Sequence, residues 1–396
     1  MRVALLTAEY PPYSSGGVGS LSYELARGLS RAGVDVIVVT RGVGVTRIVE
    51  RDGVRVYYLA SPPVPPRDVW YYVLRMGGVR RVLAEERPEV IHDVSSFAAF
   101  HPWITGMAPT VVSVQGSPML DAIRRALGAG DALRSILFEL SHKLPSALVG
   151  LIKRPEIGVL VFVSRFVMLD TLARIRDGAL RERLARKSLV VYNGVDVERL
   201  RAIKDRVVRD EGVEERSVVF MGRLMEYKGV TFLIKAFRHV VSELRDAVLH
   251  IVGDGPLSGV VRRLPSRLGI ERNVVIHGAL PRSGAMRVLA RSALLTHPSL
   301  YESFGMVIAE AYAMGKPVVT HKAGYARELV EEPGAGLTVN VMDSREYAEA
   351  LIALLTDRNL YRRLSQNASK FAEESLSVSA MVRGYVSAYA RAVRRA

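Results

Sequence analysis

The chain has 396 residues, 49% hydrophobic and 24% charged, which is enough for two ordinary globular domains with large cores. It has no cysteine, which excludes disulfides and thiolate metal sites. No apolar run reaches the length of a membrane span, and the opening Met1 to Leu6 run, broken at Glu9, does not read as a signal peptide. A net charge of +15, from 55 Lys and Arg against 40 Asp and Glu, favours an anionic partner such as a nucleotide or an acidic membrane surface. The cations are dispersed and match no zinc-finger, RNP or basic-zipper pattern, which argues against nucleic acid. Abundant Arg and Val without Cys also suit a thermophile.

Residues 2–8 read as a buried strand, followed by a turn-rich loop through Gly16, Gly17 and Gly19. Leu21, Leu25, Ala26 and Leu29 then recur at helical spacing up to Gly33, and 34–40 is the next strand. The order Gly-Gly-Val-Gly is not the dinucleotide fingerprint, and a flexible turn explains it as well as a ligand loop does. Strands follow at 54–59, at 89–92 (ending in His92), at 110–114, at 159–163 and at 189–192. Residues 62–66 are a Pro-rich loop, and 68–86 and 165–186 are helical. Residues 119–153 form a mainly helical stretch with Arg124, Arg125, Arg134, Lys143, Lys153 and Arg154 among apolar residues. It is either a basic surface for lipid headgroups or an ordinary solvated face.

The charged, apolar-poor residues 200–216 read as a linker, after which strand and helix alternate again. Strands are expected at 218–221, 248–252, 274–276, 292–296, 318–320 and 336–339, and the chain is helical from 344, ending in an Arg-bearing helix near 378–394. Two successive units of this kind imply an α/β protein of two doubly wound, Rossmann-like domains facing a cleft. The expected divisions are 1–200, 201–375 and a C-terminal helix, 376–396, that returns to the first domain.

The chemistry concentrates in 297–330. A strand runs into a loop holding Glu302, Ser303 and Phe304, and Gly305 opens a short helix that is apolar on nearly every side yet carries Glu310. A buried carboxylate needs donors. Either Glu302 and Glu310 face one ligand site at the helix N-terminus, or they are a surface loop Glu and a core Glu paired with an Arg. Arg223 and Lys228, in the loop after the first strand of the second domain, add two cations. With the amides at 304–306 they suit two phosphates. Glu310 suits the vicinal diol of a ribose, and Glu302 a second set of hydroxyls, so the combination describes a nucleotide sugar. Plain surface charge is the competing reading for Arg223 and Lys228.

Taken together, several motifs resemble the retaining glycosyltransferases of family 4, which have the GT-B fold. They are Gly16-Gly17, Val163-Ser164, Asn193-Gly194-Val195-Asp196, Gly222-Arg223 with Lys228-Gly229, Gly253-Asp254-Gly255-Pro256, and His297-Pro298-Ser299 ahead of Glu302 and Glu310. They stand in the right order over nearly the whole chain. The resemblance implies transfer of a sugar, with retention, from a nucleotide-diphosphate sugar to a hydroxyl acceptor, with no metal or other cofactor. Arg223 and Lys228 would hold the diphosphate, Glu310 the ribose and Glu302 the transferred sugar. The Phe304-Gly305-Met306 backbone would face sugar and phosphate, and Gly16 and Gly17 would close the cleft from the acceptor side.

The chain departs from the family where His92 is followed by Val94 instead of a second His, and where Gln115-Gly116 replaces His-Gly. His92 remains the candidate catalytic histidine beside Glu302, Arg223 and Lys228, with a structural strand-end His as the alternative. The basic stretch 119–153 motivates a lipid-linked or other glycan acceptor, and a cytoplasmic protein peripheral to an anionic membrane. Competing readings are an epimerase-like or inactive protein of the same fold, and a basic binding protein for membrane or nucleic acid.

Overall fold

The computed structural model describes residues 1–13, 17–61, 75–94, 104, 106–116 and 157–395. Gly16, the Pro-rich 62–66 and the basic stretch 119–153 lie outside the described residues. The chain divides into two compact units, Met1–Gly194 with Val378–Ala396, and Val195–Ser377.

In the first unit the described strands are β1 Arg2–Thr7, β2 Asp35–Val43, β3 Arg47–Arg51, β4 Val54–Ser61, β5 Val90–Asp93, β6 Thr110–Val114, β7 Ile157–Phe162 and β8 Ser188–Val190. They lie in the order β3-β4-β2-β1-β5-β6-β7-β8, parallel except for β3 against β4. Their near-continuous apolar runs follow from burial on both faces. Val3, Leu5, Val36 and Val38 point into one core, under the helices Gly17–Arg31 and Val378–Val393, and Ala4, Leu6, Ile37 and Val39 point into the other, against helix Met76–Glu86. The last helix lies directly on this unit because glycines give it room. A Cβ on Gly28 would stand 2.6 Å from Val378, and one on Gly158 2.9 Å from the Cα of Ala392.

The second unit holds β9 Glu214–Met221, β10 Val248–Val252, β11 Val274–Gly278, β12 Ser292–His297, β13 Val318–His321 and β14 Gly336–Val339, all parallel, in the order β11-β10-β9-β12-β13-β14. Each sheet starts near its middle, at β1 and at β9, builds to one side and then crosses to the other. The crossing points lie between β1 and β5 and between β9 and β12. Doubly wound sheets open a crevice at the carboxyl ends of such strands.

Residues 200–216 are not a linker. They form most of helix Val197–Glu211 and the start of β9. Asp196 caps the helix by accepting from the Arg199 amide at 3.0 Å, and only Val197, Leu200 and Val207 are buried. The rest of its surface is mostly charged, and Glu211 binds Arg287 at 2.6 Å and Arg291 at 3.2 Å. The stretch 165–186 is two helices, Arg165–Ala173 and Gly178–Lys187, and two further helices form where no element is expected, Ser258–Leu268 with Pro265 inside it and Arg282–Arg291 with Gly284 inside it.

Candidate functional site

The loops after β9 and β12, the two strands flanking the crossing point of the second sheet, carry most of the expected site residues. Glycines lock these loops together. Gly229 has φ +69°, and a Cβ there would fall 2.2 Å from the carbonyl oxygen of Pro298, so no other residue allows this approach. The Leu300 amide donates to the Tyr227 carbonyl at 2.8 Å and completes the seam. A Cβ on Gly253 would fall 1.8 Å from the Gly222 carbonyl oxygen, and one on Gly255 2.6 Å from that of Leu224, which ties the end of β10 to the same loop.

This seam delivers Lys228 to Glu302. The Lys228 ammonium donates to Oε2 of Glu302, and the Ser303 amide donates to Oε1 at 3.1 Å. His297, the last residue of β12, places Nε2 3.4 Å from the same Oε2. Burial opposes the charge on Glu302, but Lys228 and then His297 outweigh it and hold its carboxyl well below the usual range. The Glu302 carboxylate is therefore ionised at neutral pH although its residue is 8% exposed. His297 is itself pushed down, chiefly by burial, and its Nδ1 is buried with no hydrogen-bond partner among the described residues. Tyr325 braces the strand end, its hydroxyl lying 2.8 Å from Thr320 Oγ1 and donating to the Ser299 carbonyl at 2.9 Å.

Phe304 is buried. Gly305, at φ +79°, turns the chain into helix Met306–Ala313; the Ile308 amide already donates to the Gly305 carbonyl at 2.8 Å, and the Met306 and Val307 amides, ahead of that bond, suit an anion. Glu310 sits inside that helix at 5% exposure, and its Oε1 forms an ion pair with Arg282 Nη2 at 2.8 Å. Burial pushes its carboxyl up, and Arg282 is the opposing influence. Glu302 is thus a buried carboxylate and not a surface one, while Glu310 does pair with an Arg. Their environments drive the two groups in opposite directions.

Arg223 is exposed and has no ion-pair partner among the described residues, whereas the charge of Lys228 is already engaged with Glu302. Among the described residues no group of three His, Asp or Glu side chains is placed to hold a metal ion. In the first unit, Gly17 begins helix Gly17–Arg31, and among the described residues nothing beyond its chain neighbours and its own helix backbone lies within 4 Å of where its Cβ would lie.

His92 fits the structural alternative better. Its ring is wholly buried, with Nδ1 2.8 Å from the Tyr389 hydroxyl and Nε2 2.7 Å from Ser113 Oγ, which in turn lies 2.9 Å from the Tyr385 hydroxyl. Burial lowers its pKa to about 3. With both nitrogens engaged, this histidine ties β5 and β6 to the last helix and has no nitrogen left for a substrate. Sequence reasoning missed His297 as a site residue, although it stands in a quoted motif, and missed Arg282, which lies 28 residues before Glu310 with no spacing signal.

Comparison with known proteins agrees over nearly the whole length. The family description "Glycosyltransferase Family 4" matches residues 15–151 and "Glycosyl transferases group 1" matches residues 203–371. An uncharacterised glycosyltransferase of Methanocaldococcus jannaschii is 26% identical over 400 residues, covering 98% of each chain. A glycogen synthase of Mycobacterium tuberculosis is 26% identical over 379 residues, covering 90% of this chain and 86% of that one. Among solved structures, Anabaena HepE in complex with UDP-glucose superposes with a TM-score of 0.74 at 20% identity, covering 98% of this chain and 99% of that one. A sucrose-phosphate synthase from Thermosynechococcus elongatus gives 0.76 at 18% identity, covering 99% and 98%. At these identities the structures establish the fold.

Proposed function

The chain belongs to glycosyltransferase family 4, with the GT-B fold, and uses a nucleotide-sugar donor; we propose that it transfers the sugar with retention to a hydroxyl of a lipid-linked or other glycan acceptor. The observation that carries the proposed donor chemistry is the buried, ionised Glu302 held by Lys228 beside the first turn of helix Met306–Ala313. A carboxylate fixed there accepts from sugar hydroxyls, while cations and helix amides next to it meet the charge of a diphosphate.

In this reading Arg223, which has no ion partner in its own unit, binds the diphosphate from the solvent side. Lys228 shares its three N–H donors between Glu302 and a phosphate oxygen. Glu310 accepts from the ribose diol. The glycosidic C1–O bond breaks and the leaving electron pair goes to the diphosphate, where Arg223, Lys228 and the helix N-terminus stabilise it. The acceptor oxygen bonds to C1 on the face the diphosphate leaves, and its proton passes to a donor phosphate oxygen. No imidazole is needed for that step, which agrees with the burial of His92.

The charge distribution favours an acceptor at an anionic membrane surface. Residues 1–194 and 378–396 carry 29 Lys and Arg against 17 Asp and Glu, whereas 195–377 carry 26 against 23. The excess thus sits in the unit that the family resemblance assigns to the acceptor. Among the described residues no helix is long and apolar enough to cross a membrane.

Calorimetric titration with nucleoside diphosphates and their sugars, on wild type and Glu310→Ala, tests the donor site. Selective binding weakened in the variant is expected, and no binding of any nucleotide to wild type would overturn it. The anomeric configuration of the product, read by NMR, tests retention. Co-sedimentation with anionic against neutral vesicles tests the membrane reading, and equal binding to both would refute it.

A further inference from the structure

Glu310 lies within helix Met306–Ala313, and its carboxylate needs a donor because the helix is packed on most sides. The elements around it bring few charges. On helix Val197–Glu211, Arg201 is taken by Glu373 at 3.0 Å, and Lys204 lies 3.7 Å from Asp205 and acts on the buried Lys316. Glu373 is itself on helix Arg358–Ser375, which packs against the same helix. β12 brings His297, which faces Glu302. On its own helix, Tyr312 donates to the Leu329 carbonyl at 3.0 Å. The remaining charge is Arg282, the first residue of helix Arg282–Arg291, and it alone acts on Glu310. It binds Oε1. Oε2 has no side-chain partner among the described residues. The Arg282 side chain is 53% exposed, so its other N–H groups stay in water.

We infer that Arg282 is a positioning residue for donor recognition: by occupying Oε1 it fixes the Glu310 carboxylate and leaves Oε2 to accept from the ribose hydroxyls, so that the preference for a ribonucleotide is set from a helix carrying none of the expected site residues. The inference rests on the reading of Glu310 as the ribose acceptor. Its physical basis is that a carboxylate is an acceptor on both oxygens only while ionised, and Arg282 is what opposes neutralisation by burial. A planar guanidinium also fixes direction, which a lysine ammonium does less well.

The test is calorimetric titration of wild type, Arg282→Gln and Arg282→Lys with UDP, ADP and GDP and with their 2′-deoxy forms, at pH 6.5, 7.5 and 8.5. Wild type should prefer the ribose form of its nucleotide about 10-fold or more, the discrimination expected of a site whose buried polar group would otherwise be left unpaired. That preference should hold across the pH range. Arg282→Gln should lose about 10-fold in affinity and most of the preference at the lowest pH, and regain part of both as the pH rises and Glu310 ionises. Arg282→Lys should fall between. A merely structural role would give no recovery with pH. If Arg282→Gln distinguishes ribose from deoxyribose as wild type does, the inference is wrong. If wild type binds a nucleotide but Glu310→Ala keeps the ribose preference, the inference fails and the donor site stands. If wild type binds none of the three, both fall.

Discussion

Replacing Lys228 by Met isolates the ion pair at the centre of the proposed donor site. Both side chains are largely shielded, at 12% exposure for Lys228 and 10% for Glu302. Removing one partner of a buried pair costs about 3–5 kcal/mol, because the survivor stays charged in a poor solvent. Glu302 would keep the Ser303 amide and the nearby His297, so the lower end is expected, about 3 kcal/mol. For a unit of the size of Val195–Ser377, each kcal/mol lowers Tm by about 2–4 °C, which gives a drop of about 6–12 °C. The double variant Lys228→Met/Glu302→Gln removes the stranded charge and should recover most of this loss.

The pH dependence has a defined sign. Glu302 is depressed in the folded chain, so its contribution is present above the ordinary carboxylate range and is lost as pH falls below it. Lys228→Met should weaken that acid dependence. Far-ultraviolet circular dichroism is the suitable probe, since both tryptophans, Trp70 and Trp103, fall in the first unit. A single variant that melts within about 1 °C of wild type, with no gain in the double variant, would refute the argument, since the smallest loss expected from a broken buried pair is several times larger.

Glu302→Gln should fold with near-native secondary structure and lose on the order of 100-fold in kcat/KM, measured as nucleoside diphosphate release, because it removes the fixed charge proposed to meet the transferred sugar. His92 is depressed to about 3 in the fold, against an unfolded value near 6.5, so its contribution is complete above about pH 6.5 and is lost as pH falls towards 3. Urea unfolding of wild type should therefore lose about 2 kcal/mol between pH 6.5 and 4.5 from this group, a component that His92→Asn lacks. Gly229→Ala should cost about 2 kcal/mol or more and weaken nucleotide binding, since its Cβ meets the Pro298 carbonyl and its φ is positive. Thermal melting with and without UDP checks both effects.

Much of the fold can be read from punctuation. Apolar runs such as Val36–Val39 and Val218–Phe220, each ended by Gly or polar residues, mark strands buried on both faces. Glu302 and Glu310 stand out because charge interrupts such a background. What escaped reading has particular causes. β3 buries none of its five residues, so no periodicity betrays it. Helix Val197–Glu211 has an apolar stripe too narrow to outweigh its charges. The role of His92 depends on Tyr389, 297 positions away, and that of Glu310 on Arg282, and no local window contains either pair.

The first unit is interrupted in sequence by the second, and this bears on how the chain matures as it leaves the ribosome. Residues 195–377 emerge as one uninterrupted block and can close around their own core as they are made. The first unit has to wait. Met381, Tyr385, Ala388, Tyr389 and Ala392 are fully or almost fully buried in it, and its buried His92–Ser113 pair meets its tyrosine partners only when they arrive. Until then a strip of sheet that ends up dry stays open to water, and the half of the protein translated first is the half completed last. A chain truncated after Ser377 should therefore show a protease-resistant 195–377 and a protease-sensitive beginning, the reverse of the usual order from amino to carboxyl terminus.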